Sequence, residues 1–559
     1  MIQKKMKIRK MGYVDPIDDL LTLQQQQQIA KLFRFGTQED IELFEQSVAI
    51  NKAKSQRENS IKQRLNYQKY KRKLKRNRKG IRSLEIQSKK IKGKSKKNNK
   101  AKYLKKQRID RQLNKRKLFD IDWHKDIPDH LKLEIKDILK DLKKRRGMHV
   151  ALEMKKTLEG YQDRIGKEKF DIGRIEGIQY KIRMKHGVKP YHQQPHNLPP
   201  EHEEQIFKTV NSLLKAEMIE PYEGEWGSNV FVVKNGDGST RMVTNYKWIN
   251  QHSESDSYPV PSVPDMINRF HGKTVYSTFD IIKAFHNIEV EPESRKYTAF
   301  TTKYGTFVWK VMPFGGKNCP SVWARASDIA FQSCLDMIKY VDDIVLASSA
   351  ATGKSEDDNH LRAIASFFEC LKKYNLKIKL SKCQFFVTKV KFLGHYITPE
   401  GRTTNEKYIK RLLTFRHPKD RTELKAYLGA IEWISNHVYG MKKLMLPIKQ
   451  LLRKNVKYEW LEKHQKAFNS IQNCIQKTEI LHHPDFNEPF YLFTDASDKL
   501  YSGVLLQKRN DKYVTVDMFS RMFNDNQSKW HITTKELHAL VQSIEKWRNY
   551  LWTNKFVIH

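Results

Sequence analysis

Paired cysteines are missing from this chain. Its five (Cys319, Cys334, Cys370, Cys383 and Cys474) stand far apart and never at a Cys-x2-Cys spacing. That excludes a zinc knuckle or finger and a disulfide framework, and it points to reduced, intracellular thiols. Metal chemistry must therefore rest on oxygen ligands. Long apolar runs are missing as well. None approaches the roughly 20 residues that span a bilayer, and the N-terminus carries no secretory signal, so no membrane-spanning segment is expected. Neither an Asp-Thr/Ser-Gly triplet nor an internal repeat is found. Negative charge is scarce: 63 acidic residues face 105 Lys and Arg, a net charge of +42. The simplest partner for such a chain is a polyanion, with an anionic membrane surface as runner-up.

The positive charge is concentrated. Residues 51–117 hold 29 Lys and Arg against 3 acids, a balance of +26. Too few apolar residues remain there for an independent core, so the segment is expected to be disordered, or helical only when bound. It reads as a nucleic-acid arm; a nuclear-import signal or a solvated linker are the alternatives. Residues 1–50 form a mixed extension. From 118 to 170 the pattern is helical, with Leu131, Leu133, Ile135, Ile138, Leu139 and Leu142 spaced for one face. After Phe170 the texture becomes α/β, with strands expected at Asn229–Lys234, Thr274–Phe279 and Ile344–Ser348. Proline-rich joints at 190–200 and 258–264 mark subdomain edges. At 559 residues the chain has room for three or more domains.

Among the acids, Tyr340-Val341-Asp342-Asp343 stands out. Apolar flanks on both sides predict a strand–turn–strand hairpin with two carboxylates at its bend. By itself such a pair is a solvated turn. A third acid changes its weight: Val275-Tyr276-Ser277-Thr278-Phe279-Asp280 reads as a strand ending on a carboxylate. Three carboxylates at adjacent strand ends can hold two Mg²⁺ ions for an in-line phosphoryl transfer, although either acid site could equally be structural.

The order of motifs from about Phe170 onward resembles the polymerase region of a reverse transcriptase from a gypsy-type long-terminal-repeat retroelement. The matching landmarks are Leu198-Pro199-Pro200-Glu201-His202, Val232-Val233-Lys234 with Gly238-Ser239-Thr240-Arg241-Met242, and Tyr258-Pro259-Val260-Pro261. They continue through Tyr276–Asp280, Met312-Pro313-Phe314-Gly315, Tyr340–Asp343, Ser381-Lys382-Cys383 and Phe392-Leu393-Gly394-His395. The resemblance implies an α/β (α+β) right-hand fold: fingers and palm over 171–400, thumb over 401–455, a connection over 456–488 and a partial RNase H-like domain over 489–559. It implies metal ligation by Asp280 and Asp342 with Asp343 in support, and a triphosphate grip by Lys234 and Arg241. It makes Phe285 the steric gate against a ribose 2′-hydroxyl, Phe314 the ring on the nucleotide's other side, and Phe392-Leu393-Gly394-His395 the primer grip. Lys382 becomes either a proton donor to pyrophosphate or a backbone contact. Lys407, Lys410 and Arg411 in the thumb could track duplex phosphates, above a core stripe of Leu424, Tyr427, Leu428 and Ile431. Three positions depart from the family pattern: Thr244-Asn245 where an apolar residue and Asp are usual, Gly316 where Leu is common, and Trp323 in place of a smaller aromatic.

Phe493-Thr494-Asp495-Ala496-Ser497-Asp498 and Thr533-Thr534-Lys535-Glu536-Leu537 resemble the first half of the RNase H domain, with Asp495 and Glu536 as its first two acids. The family's third acid follows the strand matching Phe556–His559, so an inactive RNase H is expected from this chain, with 555–559 as an exposed strand edge. The implied cofactor is Mg²⁺, with Mn²⁺ as substitute. The implied partners are an RNA template, a DNA primer, an RNA/DNA hybrid and dNTPs, with a dimer or a longer Pol chain as a further partner. The implied setting is a cytoplasmic virus-like particle or the nucleus. Two rivals remain: an RNA-dependent RNA polymerase, and a domesticated or decayed element that binds nucleic acid without catalysis.

Overall fold

The computed structural model describes residues 79–87 and 99–559, apart from 235–237, 239, 260, 335, 351–354, 454–455 and 477. The extension 1–50 and most of the basic arm (51–78 and 88–98) lie outside the described residues. The chain divides into Met1–Asp120 and Ile121–His559. In the first unit the described residues include two helices, 79–87 and Asn99–Lys117, joined by a Lys117–Glu85 ion pair of 2.7 Å.

In the second unit, four antiparallel strands form the sheet that carries the acids, in the order Gln384–Val387, Val275–Phe279, Asp343–Ser348, Met337–Tyr340. Alternate residues serve opposite faces. Tyr276, Val345 and Ala347 pack with Met266, Phe270, Ile338 and Phe392 on one side. On the other, Phe279 meets Phe367 and Phe368 of the helix Glu356–Lys373. That helix is capped by the Ser355 side chain, which accepts from the Asp358 N–H.

The leader helices Asp129–Arg145 and Met148–Gly160 form an outer layer against this core. Leu131, Ile135, Leu139 and Leu142 are buried, as the helical spacing requires, whereas Leu133 is 62% exposed. Position 133 lies two residues from both 131 and 135, off the stripe that a 3.6-residue period can bury. Arg145 ties the layer down by donating to the carbonyls of Phe386 (2.7 Å) and Phe385 (3.1 Å).

A five-stranded sheet, ordered Ile219–Pro221, Gly305–Trp309, Phe300–Thr302, Ser228–Lys234, Thr240–Thr244, packs beneath the helix Pro200–Lys215. Downstream, the helices Glu406–Leu413, Arg421–Ile434, Met441–Gln450 and Glu462–Ile475 enclose one core containing Leu424, Tyr427, Leu428, Ile431 and Ile471. This helical group therefore runs past 455, through 475. The final sheet is ordered Lys512–Met522, Leu500–Arg509, Phe490–Ala496, Phe556–Ile558, with the last strand parallel to its neighbour and at the edge. Val557 and Ile558 are 45% and 48% exposed there. Among the described residues no helix is long and apolar enough to cross a membrane.

Candidate active site

Strands Met337–Tyr340 and Asp343–Ser348 pair with Tyr340 opposite Asp343, leaving Val341 and Asp342 as a two-residue turn. Val341 has φ 52°, a left-handed conformation that costs a β-branched residue about 1–3 kcal/mol. Its carbonyl accepts a 2.8 Å hydrogen bond from Nε1 of Trp323, whose side chain is fully buried in the helix Cys319–Ala330. The larger aromatic thus supplies a donor that a phenylalanine lacks, and it holds the strained turn from behind. Gly316, the other departure in this segment, also has a physical reason. A Cβ there would stand 2.5 Å from the Tyr180 hydroxyl oxygen and 2.7 Å from Cys319 Sγ.

The strand Val275–Phe279 pairs with Asp343–Ser348 so that Phe279 faces Ile344. Asp280 follows immediately, at the end where the hairpin turns. Its carbonyl accepts from the Lys379 N–H at 2.9 Å, and its Oδ2 accepts from Lys382 Nζ at 2.9 Å. Burial, then the Asp343 and Asp280 carboxylates, push the Asp342 pKa up to about 6 against the opposing pull of Lys382. Burial likewise raises Asp343, opposed by a hydrogen bond from the Leu393 N–H and by Lys391, and aided by Asp280. The three acids therefore sense one another, and Lys382 alone does not balance them. Among the described residues no group of three or more His, Cys, Asp or Glu side chains is placed to hold a metal ion in this conformation; the Lys382 ammonium is the positive charge at Asp280. Asp280 and Asp342 open onto a cleft of about 690 Å³, whose walls include Phe314, Lys283 and, from the leader helix, Glu134.

Phe285 sits in the short 3₁₀ turn Ala284–Asn287, buried, its ring 5.2 Å from that of Phe314. Phe314 is 46% exposed. Beneath it lies His286, which sequence reasoning passed over. Its ring packs edge-on to Phe314 at 4.9 Å and stacks on Trp309 at 5.2 Å. Burial depresses its pKa to about 4, so at neutral pH it is an uncharged packing element.

Lys234 and Arg241 lie on the Ser228–Lys234/Thr240–Thr244 hairpin, Lys234 opposite Thr240 and Arg241 opposite Val233. Both are exposed near its distal end. The register places them on alternate faces of the ribbon, so gripping one triphosphate requires the flexible lysine to reach around the edge. Phe392 and His395 are paired across a turn made by Leu393 (φ 48°) and Gly394 (φ 82°). Phe392 is fully buried, and His395 stacks on Trp433 at 5.2 Å. The turn therefore has a packed base and a polar tip, and the Leu393 N–H joins it directly to Asp343. In the last sheet, Glu536 Oε1 accepts from the Ala496 N–H at 3.2 Å, which brings Glu536 beside Asp495.

Residues 232–397 match the family described as reverse transcriptase (RNA-dependent DNA polymerase). Residues 460–558 match the RNase H-like domain found in reverse transcriptase. Two polyproteins of Schizosaccharomyces pombe, those of transposons Tf2-3 and Tf2-7, are each 28% identical over 380 residues. Over these segments the chain is similar to retroelement reverse transcriptases. The chain is aligned over 67% of its length, and it spans 28% of each of those polyproteins. Its fold is also that of the foamy viral protease-reverse transcriptase, solved with dsDNA (TM-score 0.69, 18% identity, covering 78% of this chain and 90% of that one). A structure of the foamy viral enzyme with an RNA/DNA hybrid gives a TM-score of 0.66 at 19% identity, covering 76% and 57% respectively. A fold of the reverse-transcriptase polymerase type is thus followed by an RNase H-like domain. The matched segment 232–397 contains Asp280, Asp342, Asp343 and the Phe392–His395 turn.

Proposed function

We propose that this chain copies RNA and DNA templates into DNA, joining a deoxynucleotide to a primer 3′-hydroxyl and releasing pyrophosphate. The observation that carries this reading is the juxtaposition of Asp280 with the Val341–Asp342 turn, three carboxylates of which Asp342 has its pKa raised first by burial and then by the charges of Asp343 and Asp280. That unbalanced charge fits a divalent cation, for which carboxylate oxygens are suitable ligands. Asp280 and Asp342 would hold it, with Asp343 in support and Lys382 moving off Asp280. Mg²⁺ bound there would activate the attacking hydroxyl and neutralise the leaving oxygen. Around it, Arg241 and Lys234 orient the triphosphate, and the Phe392–His395 turn sets the primer end. Phe285, backed by Phe314, excludes a 2′-hydroxyl by steric conflict. The nucleic-acid ligands of the foamy viral structures support a template–primer as partner.

Primer extension on an RNA template in Mg²⁺, with dNTPs or with rNTPs, tests the reading; extension that prefers rNTPs, or binding with no extension at all, defeats it. Phe285→Ala should raise the use of ribonucleotides relative to deoxynucleotides by up to ~10²-fold, the order at which a shaped pocket rejects an added hydroxyl. Competition assays on one primer–template measure that ratio. Trp323→Phe removes a single donor from the Val341 carbonyl. A lost hydrogen bond is worth about 1 kcal/mol, so kcat should fall roughly five- to tenfold with the dNTP KM little changed. An unaltered kcat would show that the turn holds itself.

A further inference from the structure

Two of the five cysteines, far apart in sequence, meet when the chain folds. The Sγ atoms of Cys334 and Cys370 stand 3.3 Å apart, and the Ser333 hydroxyl oxygen is 3.1 Å from the Cys370 sulfur. Elsewhere thiols turn to the backbone: Cys319 donates to the Pro313 carbonyl at 3.2 Å, and Cys383 to that of Lys379 at 3.4 Å. Hydrogen bonding from the Cys334 thiol holds the Cys370 pKa below its ordinary value. Burial and Glu369 oppose that pull, while the Ser333 hydroxyl and Lys373 assist it. Both residues are buried, yet Cys334 lines an open cleft of about 520 Å³ together with Met266, Arg269, Gln332 and Met337. A small oxidant can therefore reach the pair from one side.

Both sulfurs sit on elements that support the acidic hairpin. Cys334 precedes the strand Met337–Tyr340; its carbonyl accepts from the Met337 N–H at 3.2 Å, and the Asp336 carbonyl accepts from the Ala347 N–H at 2.9 Å. The far end of that strand carries the Val341–Asp342 turn, and Val341 lines the same cleft as Cys334. Cys370 lies near the end of the helix Glu356–Lys373, whose Phe367 stacks on Phe331 at 5.3 Å. Bonded sulfurs are about 2.05 Å apart, so a bond here draws the entry of the strand towards the helix by roughly 1 Å. A close-packed interior transmits such a shift rather than absorbing it.

We propose that Cys334 and Cys370 form a redox modification site, oxidised to a disulfide by hydrogen peroxide and reduced again by thiols, and that the disulfide slows primer extension. The site stands apart from the polymerase reading above; only its effect on extension rests on that reading. Once the pair loses one proton, the two sulfurs share the other, and the cleft-facing Cys334 reacts as the thiolate. Its sulfur bonds to one peroxide oxygen, the O–O bond breaks and hydroxide leaves, giving a sulfenic acid at Cys334. The Cys370 sulfur then bonds to that of Cys334, the S–O bond breaks, and the departing hydroxide carries off the Cys370 proton as water. The two sulfurs together lose two electrons, and the peroxide is reduced to water and hydroxide. A dithiol reverses the bond by thiol–disulfide exchange and becomes a disulfide itself.

The test treats the full chain with hydrogen peroxide, alkylates the remaining thiols and maps the peptides by mass spectrometry. Wild type should give one linked peptide joining Cys334 to Cys370, which dithiothreitol removes. In Cys370→Ser the sulfenic acid has no partner and should accumulate at Cys334, where dimedone traps it. Treated wild type in which both cysteines remain alkylatable, or pair mainly with other cysteines, overturns the site, as does an unmodified Cys334 in the variant. Extension by the linked wild type should fall at least about tenfold, since a 1 Å misplacement costs up to ~10²-fold, and should return with dithiothreitol. A fully linked chain that extends at the reduced chain's rate overturns the effect on extension. A reduced chain that never extends overturns the polymerase reading and that effect with it, while the peptide map still decides the site.

Discussion

Asp342→Asn will leave a folded chain that still binds template–primer but extends it slower by on the order of 10³-fold or more, as loss of a central charge-stabilising group does. Gel-shift and extension assays on one preparation check both halves; substantial extension by the variant would remove Asp342 from the chemistry. The substitution should also change stability, with a sign opposite to that of most mutations. In the folded chain Asp342 holds its proton up to about pH 6, against a reference of 3.8. Between those values the folded state binds more protons than the unfolded state, so wild-type stability falls as pH rises from about 4 to 6 and stays reduced above. Asparagine removes that penalty. Without divalent metal the variant should therefore melt higher than wild type at pH 7.5 and match it near pH 3.5. Added Mg²⁺ should raise the wild-type melting temperature and leave the variant nearly unchanged.

Asp517→Ala should give the largest loss of stability. Asp517 is buried, and it accepts from Arg402 at 3.1 Å, Lys546 Nζ at 2.5 Å and Trp547 Nε1 at 2.9 Å. Burial pushes its pKa up, but Lys546, Arg402 and Trp547 prevail and hold it below the usual carboxylate value. Truncation would strand two cations and an indole N–H, and breaking a buried pair in this way costs about 3–5 kcal/mol. Because the folded pKa is depressed, the carboxylate's contribution is present above the unfolded pKa and is lost as pH falls through the folded one. The gap between wild type and variant should therefore close in acid. Urea unfolding at pH 7 and at pH 3 measures it; a gap of less than 1 kcal/mol at pH 7 would mean the cluster relaxes around the loss.

Much of this architecture was legible in the residues themselves. Unbroken apolar flanks located the strands Val275–Phe279 and Asp343–Ser348 to within a residue. Period-3.6 spacing identified Leu424, Tyr427, Leu428 and Ile431, all buried. Leu133 was misplaced because a count of leucines ignores which face each one occupies. What escaped was set by contacts between distant segments. The Sγ atoms of Cys334 and Cys370 stand 3.3 Å apart although the residues are 36 positions apart, which scattered spacing does not reveal. The bond from Trp323 to the Val341 carbonyl is of the same kind. Motif order located the acids; only the tertiary fold shows what surrounds them.

The glycine at 316 has a consequence for how related chains can vary. Its missing side chain is the space filled by the Tyr180 hydroxyl and the Cys319 sulfur, so the three positions share one volume across 139 residues of sequence. A homologue carrying leucine at 316 must vacate that volume by a smaller residue at 180 or 319. These sites should therefore exchange in concert across the lineage, and a leucine at 316 should be tolerated only when Tyr180 or Cys319 is trimmed with it.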